Sequence, residues 1–159
     1  MNQAALSDSD LSEMLSELRV LLMGAQLFTA FLILLPFSAG FKQIVQSEKW
    51  VFLATFLFSV LSLILFTAPA VQHRMVRPLR NRTKFKEMAT RQILVGAAAL
   101  SCALVLGANL VISEVFGHKL GLVVAGLIAA LVVVLWWVLP WSLQKTLSSS
   151  TTMHADREE

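Results

Sequence analysis

A chain of 159 residues that is 57% hydrophobic and 14% charged cannot build an ordinary water-facing surface, because soluble domains carry about 25% charged residues. The formal charge of +3 and isoelectric point near 9.4 do not indicate a nucleic-acid binder, since the excess cations sit in one loop between two apolar segments. One cysteine, Cys102, excludes a disulfide framework or a cysteine-based metal centre within the chain.

The N-terminal segment, residues 1–19, carries Asp8, Asp10, Glu13 and Glu17 where a cleaved signal peptide would be basic, so none is expected. Leu11, Met14, Leu15 and Leu18 recur at helical spacing. Ser7 or Ser9 can cap the helix, and the acids of its first turn suit the helix dipole. A short amphipathic cytoplasmic helix is therefore predicted, running into the first span.

Four apolar segments follow, at about 20–37, 50–71, 92–116 and 120–139. Each is long enough to cross a bilayer as a helix, for which about 20 apolar residues suffice. The runs are continuous rather than alternating, which favours helices over a barrel. Pro36, Pro69 and Pro140 fall near the ends of their spans, where a missing backbone N–H costs least. The domain reading is thus a transmembrane unit over 20–141 followed by a disordered polar tail over 142–159. The fold class is an all-α membrane protein, with four transmembrane helices paired as two helical hairpins.

Orientation follows from Lys and Arg in the flanks. Ten of the 13 lie in the N-terminal segment, the loop between the second and third spans, and the tail, against three (Lys42, Lys49 and Lys119) on the other side. This places both termini and the basic loop in the cytoplasm. Trp50, Trp136, Trp137 and Trp141 sit at span ends, as interfacial tryptophans do.

Polar residues inside the spans are few. Thr55, Ser59 and Ser62 share one face of the second helix, while Ser101, Asn109 and Ser113 share roughly one face of the third. With Gln26 and Thr29 of the first helix they make a candidate polar seam, of which Gln26, Ser59, Ser62, Ser101 and Asn109 are the principal members. Hydrogen bonding between helices is the preferred reading of this seam, ahead of a ligand path. No ionisable group is seen near the midplane, and Glu114 lies close to the end of its span. His73, His118 and His154 are distributed to different places, and no hydrolase, nucleotide-binding or metalloprotease motif occurs. No enzyme activity, catalytic residue, cofactor or metal is expected.

Other patterns concern packing and surfaces. A shift of 72 positions lays Arg19 on Arg91, Gly24 on Gly96 and Gln72 on Gln144, suggesting a parallel duplication of a hairpin. Ala103–Gly107 and Gly126–Ala130 are small-xxx-small pairs, expected to draw the third and fourth helices together or to join two copies. Arg77, Arg80, Arg82, Lys84 and Lys86 are candidate contacts to anionic lipid, although fixing topology is the simpler role of such a loop.

Glu17-Leu18-Arg19-Val20-Leu21, then Gly24 and Gln26, Pro36-Phe37, and Ala68-Pro69 with His73-Arg74 resemble a bacterial four-helix membrane family, domain-of-unknown-function family 6328. The likeness covers roughly residues 15–139. Met23 stands where the family pattern has proline, which removes the expectation of a kink there. The resemblance implies four helices and no established activity. It also gathers Glu17, Arg19, His73 and Arg74 at the cytoplasmic ends of the first two helices, a candidate charge cluster clamping them together. The reading that results is a multi-pass, non-enzymatic accessory or scaffold protein. Its partners are the lipid bilayer and a second copy or another membrane protein, with no nucleic acid. The alternative is a small oligomeric transporter or channel subunit.

Overall fold

The computed structural model describes residues 3–38, 40–43, 45–75 and 82–139. These residues form four long helices: α1 (Gln3–Leu34), α2 (Gln46–Met75), α3 (Arg82–Phe116) and α4 (His118–Val133), the last continued by a π-helical turn over Val134–Val138. Stretches of all four are long and apolar enough to cross a membrane, over Leu18–Phe37, Gln46–Gln72, Glu87–Phe116 and His118–Trp136.

The amphipathic segment expected ahead of the first span is the opening part of α1, which runs unbroken from Gln3 to Leu34. No proline interrupts it and its one glycine, Gly24, is tolerated. The side chains of residues 1–15 lie outside the described residues, and so does the apolar stripe predicted for them. Pro36 ends the helix. Its ring disfavours the α conformation in the preceding residue, and the chain tightens into a 3₁₀ turn over Leu35–Phe37. Ser38 then turns extended, and both its backbone N–H and its hydroxyl donate to the Leu35 carbonyl, at 3.0 and 2.7 Å.

α2 begins one turn earlier than the apolar run suggests. The Val45 carbonyl accepts from the N–H groups of Glu48 and Lys49, at 3.0 and 3.3 Å, which places Glu48 in the first helical turn. A carboxylate there is favoured by the helix dipole. Pro69 does not terminate α2, which continues to Met75. It is fully buried within the helix and withholds the N–H that Leu65 would otherwise bond. α3 starts ten residues before the expected span, because Arg, Lys, Glu and Met are good helix formers in their own right. A single residue, Gly117, joins α3 to α4 with φ +92° and ψ 158°, a conformation essentially confined to glycine.

The helices pack α1 on α2, α2 on α3 and α3 on α4, and α1 reaches α3 only marginally. Thr55 and Phe66 on α2 face Gly107 and Gly96 on α3, eleven residues apart on each helix in opposite directions, so α2 and α3 are antiparallel. Phe28 of α1 also packs against Gly107. Leu18 and Ala25 of α1, Phe66 of α2 and Leu100 of α3 form the core. Small residues at these crossings matter because, in lipid, close van der Waals packing rather than exclusion of water holds helices together. α3 is central, with 39% of its most apolar window buried, whereas α4 is peripheral at 11%.

The two small-residue pairs lie in different settings. Ala103 is buried and Gly107 packs against Phe28 of α1 and Thr55 of α2, while Gly126 and Ala130 are exposed. The paired glycines of the proposed duplication also differ: Gly96 lies against Phe66, but Gly24 has nothing within 4 Å.

Candidate functional site: a buried polar stripe on α2

Glu48, Thr55, Ser59 and Ser62 recur at intervals of seven, four and three, which is one face of a helix. That face points inward. Thr55, Ser59 and Ser62 are wholly buried, and Glu48 is 7% exposed. Phe66 and Pro69 continue the same face and are fully buried too, so the polar stripe gives way to an apolar plug.

The hydroxyls of the stripe are satisfied largely by their own helices. Thr55 donates to the Val51 carbonyl and Ser62 to the Ser59 carbonyl, each at 2.7 Å. On α3, Ser101 donates to Ala97 at 2.8 Å. One link crosses between helices: the Thr29 and Ser59 hydroxyl oxygens are 2.6 Å apart. Thr29 spends its single hydrogen on the Ala25 carbonyl at 2.7 Å, so Ser59 is the donor across the interface.

Of the expected seam, Ser59, Ser62 and Ser101 are buried and Asn109 is half-buried. Gln26 is exposed on α1 and does not join them. In the charge cluster, Arg19 and Arg74 are exposed, while the side chains of Glu17 and His73 lie outside the described residues. Arg77 and Arg80 lie outside them altogether, as do the side chains of Arg82, Lys84 and Lys86.

Sequence reasoning passed over Glu48. It lies before the uncharged run that opens at Trp50, and so reads as part of a loop. Its spacing of seven from Thr55, in register with Ser59 and Ser62, is the signal that would have placed it on the stripe. Glu48 sits where the first turn of α2 meets the last turns of α3 and the start of α4. Its Oε1 is 3.6 Å from Nδ1 of the exposed His118. Its Oε2 is buried and has no hydrogen-bond partner among the described residues. Glu48, Ser47, Asn109, Ser113 and His118 line a cavity of about 120 Å³ there, with Val51 and Leu110 as its apolar wall. Among the described residues no group of three His, Cys, Asp or Glu gathers around one point, so the Glu48–His118 pair stands by itself.

Four apolar helices around a thin polar stripe mark a membrane-embedded protein. The sequence model of a family described as "Family of unknown function (DUF6328)" matches residues 2–140, and the chain belongs to that family. No curated protein and no solved structure shows significant similarity to it.

Proposed function

We propose that this is a multi-pass protein of the bacterial cytoplasmic membrane, its four spans paired as two hairpins with both termini cytoplasmic. In this reading it is a non-enzymatic scaffold that associates with a second copy of itself in the plane of the bilayer. The observation that carries the reading is α4. Among the described residues it packs along α3, touching α2 at its start through His118 and Glu48, and its outer face presents Gly126, with nothing within 4 Å, and Ala130 one turn on. Small residues four apart on a lipid-facing surface let a second helix approach closely. The excess of Lys and Arg on one side supports the orientation.

The test is the oligomeric state of the full chain in nanodiscs, measured by native mass spectrometry. A dimer or larger assembly is expected, reduced to monomer by Gly126→Leu. A wild-type protein that is monomeric at every lipid-to-protein ratio would reject the scaffold reading.

A second reading, a small oligomeric transporter or channel subunit, is favoured by the buried carboxylate and hydroxyls on one face of α2. Against it, Phe66 packed on Gly96 closes that face below Ser62, and the hydroxyls bond mainly to their own helices. The scaffold is preferred on that ground.

A further inference from the structure

A carboxylate removed from water needs partners for both oxygens, because an unpaired buried charge is costly. Among the described residues, His118 Nδ1 approaches Oε1 of Glu48, and Oε2 is enclosed with nothing to accept from. The residues lining the cavity beside it carry further oxygens: Asn109 an amide, and Ser113 and Ser47 hydroxyls. The Ser113 hydroxyl meets the Asn109 Oδ1 only at 3.5 Å, too long to commit either group to the other.

We propose that this cavity binds an alkali-metal cation, with the Glu48 carboxylate as the charged ligand and the oxygens of Asn109 and Ser113 as neutral ones. The reasoning is one of charge and size. Hard oxygen donors suit hard cations. One carboxylate balances one positive charge, whereas calcium sites gather six to eight oxygens, commonly from several carboxylates. A volume of about 120 Å³ exceeds a bare ion and leaves room for waters that complete its coordination. By the proposed topology the site opens on the outer side of the membrane, at the end of α2. The inference goes beyond the scaffold reading and requires only equilibrium binding, not transport.

The experiment uses the full chain in nanodiscs. Thermal melting is followed in sodium, potassium or N-methylglucamine chloride at equal ionic strength, and sodium binding is read directly from sodium NMR line broadening. Wild type is expected to melt higher in sodium or potassium than in N-methylglucamine, and to broaden the sodium line. Glu48→Gln should abolish both effects, and Asn109→Ala should weaken binding about tenfold. Identical melting in all three salts together with an unbroadened line would overturn the proposal. So would a salt response that survives in Glu48→Gln, or stabilisation by zinc alone. Should Glu48→Gln fail to fold, the wild-type line width and its dependence on Asn109 still decide. Failure here leaves the oligomeric test untouched, and the converse also holds.

Discussion

Phe66 occupies the space that a side chain on Gly96 would need. A methyl group at Gly96 would stand 2.8 Å from Cε1 and 2.9 Å from Cδ1 of Phe66, and 3.2 Å from Cβ of Leu65. Phe66 is fully buried and part of the core, so its ring has nowhere to retreat. Gly96→Ala should therefore destabilise the protein by about 1–3 kcal/mol, the usual cost of overpacking. Gly24→Ala is the control, because nothing lies within 4 Å of that position. Resistance to SDS unfolding should fall for the first variant and hold or rise slightly for the second. Equal losses would mean that the α2–α3 crossing is looser than described, and would return weight to a duplicated pair of glycines.

The turn between α3 and α4 makes a similar demand in backbone terms. A methyl on Gly121 would overlap the Ser113 Oγ and stand 3.0 and 3.1 Å from the Ser113 N and Cα, which cannot rotate away. Gly117 holds φ +92°. Gly117→Ala should cost about 1–3 kcal/mol through backbone strain alone, and Gly121→Ala a comparable amount by forcing α4 off α3. Gly126→Ala, on open surface, should leave monomer stability unchanged. A cysteine pair across α3 and α4 reports the separation by its rate of oxidation. Unaltered oxidation in Gly121→Ala would refute the close approach.

The connection from α1 to α2 is tied down by aromatic rings. Phe41, in the turn over Gly40–Gln43, meets Phe52 of α2 edge-on with ring centroids 4.8 Å apart, and Phe52 stacks on Phe56 at 6.3 Å. Such pairs contribute about 0.5–1.5 kcal/mol beyond the area they cover. Phe41→Ala is expected to raise amide exchange and protease nicking around residues 40–43, with the melting of the helices little affected. Unchanged exchange there would show that Pro36 and Ser38 alone define the turn.

Long uncharged runs made the helices legible from sequence, and the four-and-three spacing of Thr55, Ser59 and Ser62 made their shared face legible too. Which face of each helix is covered was harder to read. In lipid the hidden and exposed sides are both apolar, so the amphipathic contrast that orients a soluble helix is lost. Gln26 is polar yet faces outward, and Gly107 turns toward Phe28 and Thr55. Glu48 escaped for a different reason. Hydropathy marks where apolar residues begin, whereas the hydrogen bonds to the Val45 carbonyl mark where the helix begins. The one-turn difference contains the only buried carboxylate among the described residues.

The Thr29–Ser59 contact tests how much a buried hydrogen bond between these helices stabilises the fold. Ser59 donates to Thr29 at 2.6 Å, and both residues are hidden where α1 crosses α2. Replacing Thr29 with Val keeps the shape and removes the acceptor. Ser59 can then fall back on a carbonyl of its own preceding turn, as serines in helices commonly do. Replacing Ser59 with Ala leaves Thr29 still bonded to Ala25. Neither single change strands a polar group, so the coupling in a double-mutant cycle should be small. About 0.6 kcal/mol is expected, with about 1.7 kcal/mol as the ceiling seen for such bonds in membrane helices. The cycle is measured by SDS unfolding of Thr29→Val, Ser59→Ala and the double variant. A coupling indistinguishable from zero would show that α1 is held to α2 by the packing of Leu18, Ala25 and Phe28 alone. A value well above the ceiling would mean that the hydroxyl pair is polarised by its neighbours on the stripe, making the stripe a connected network rather than a set of locally satisfied groups.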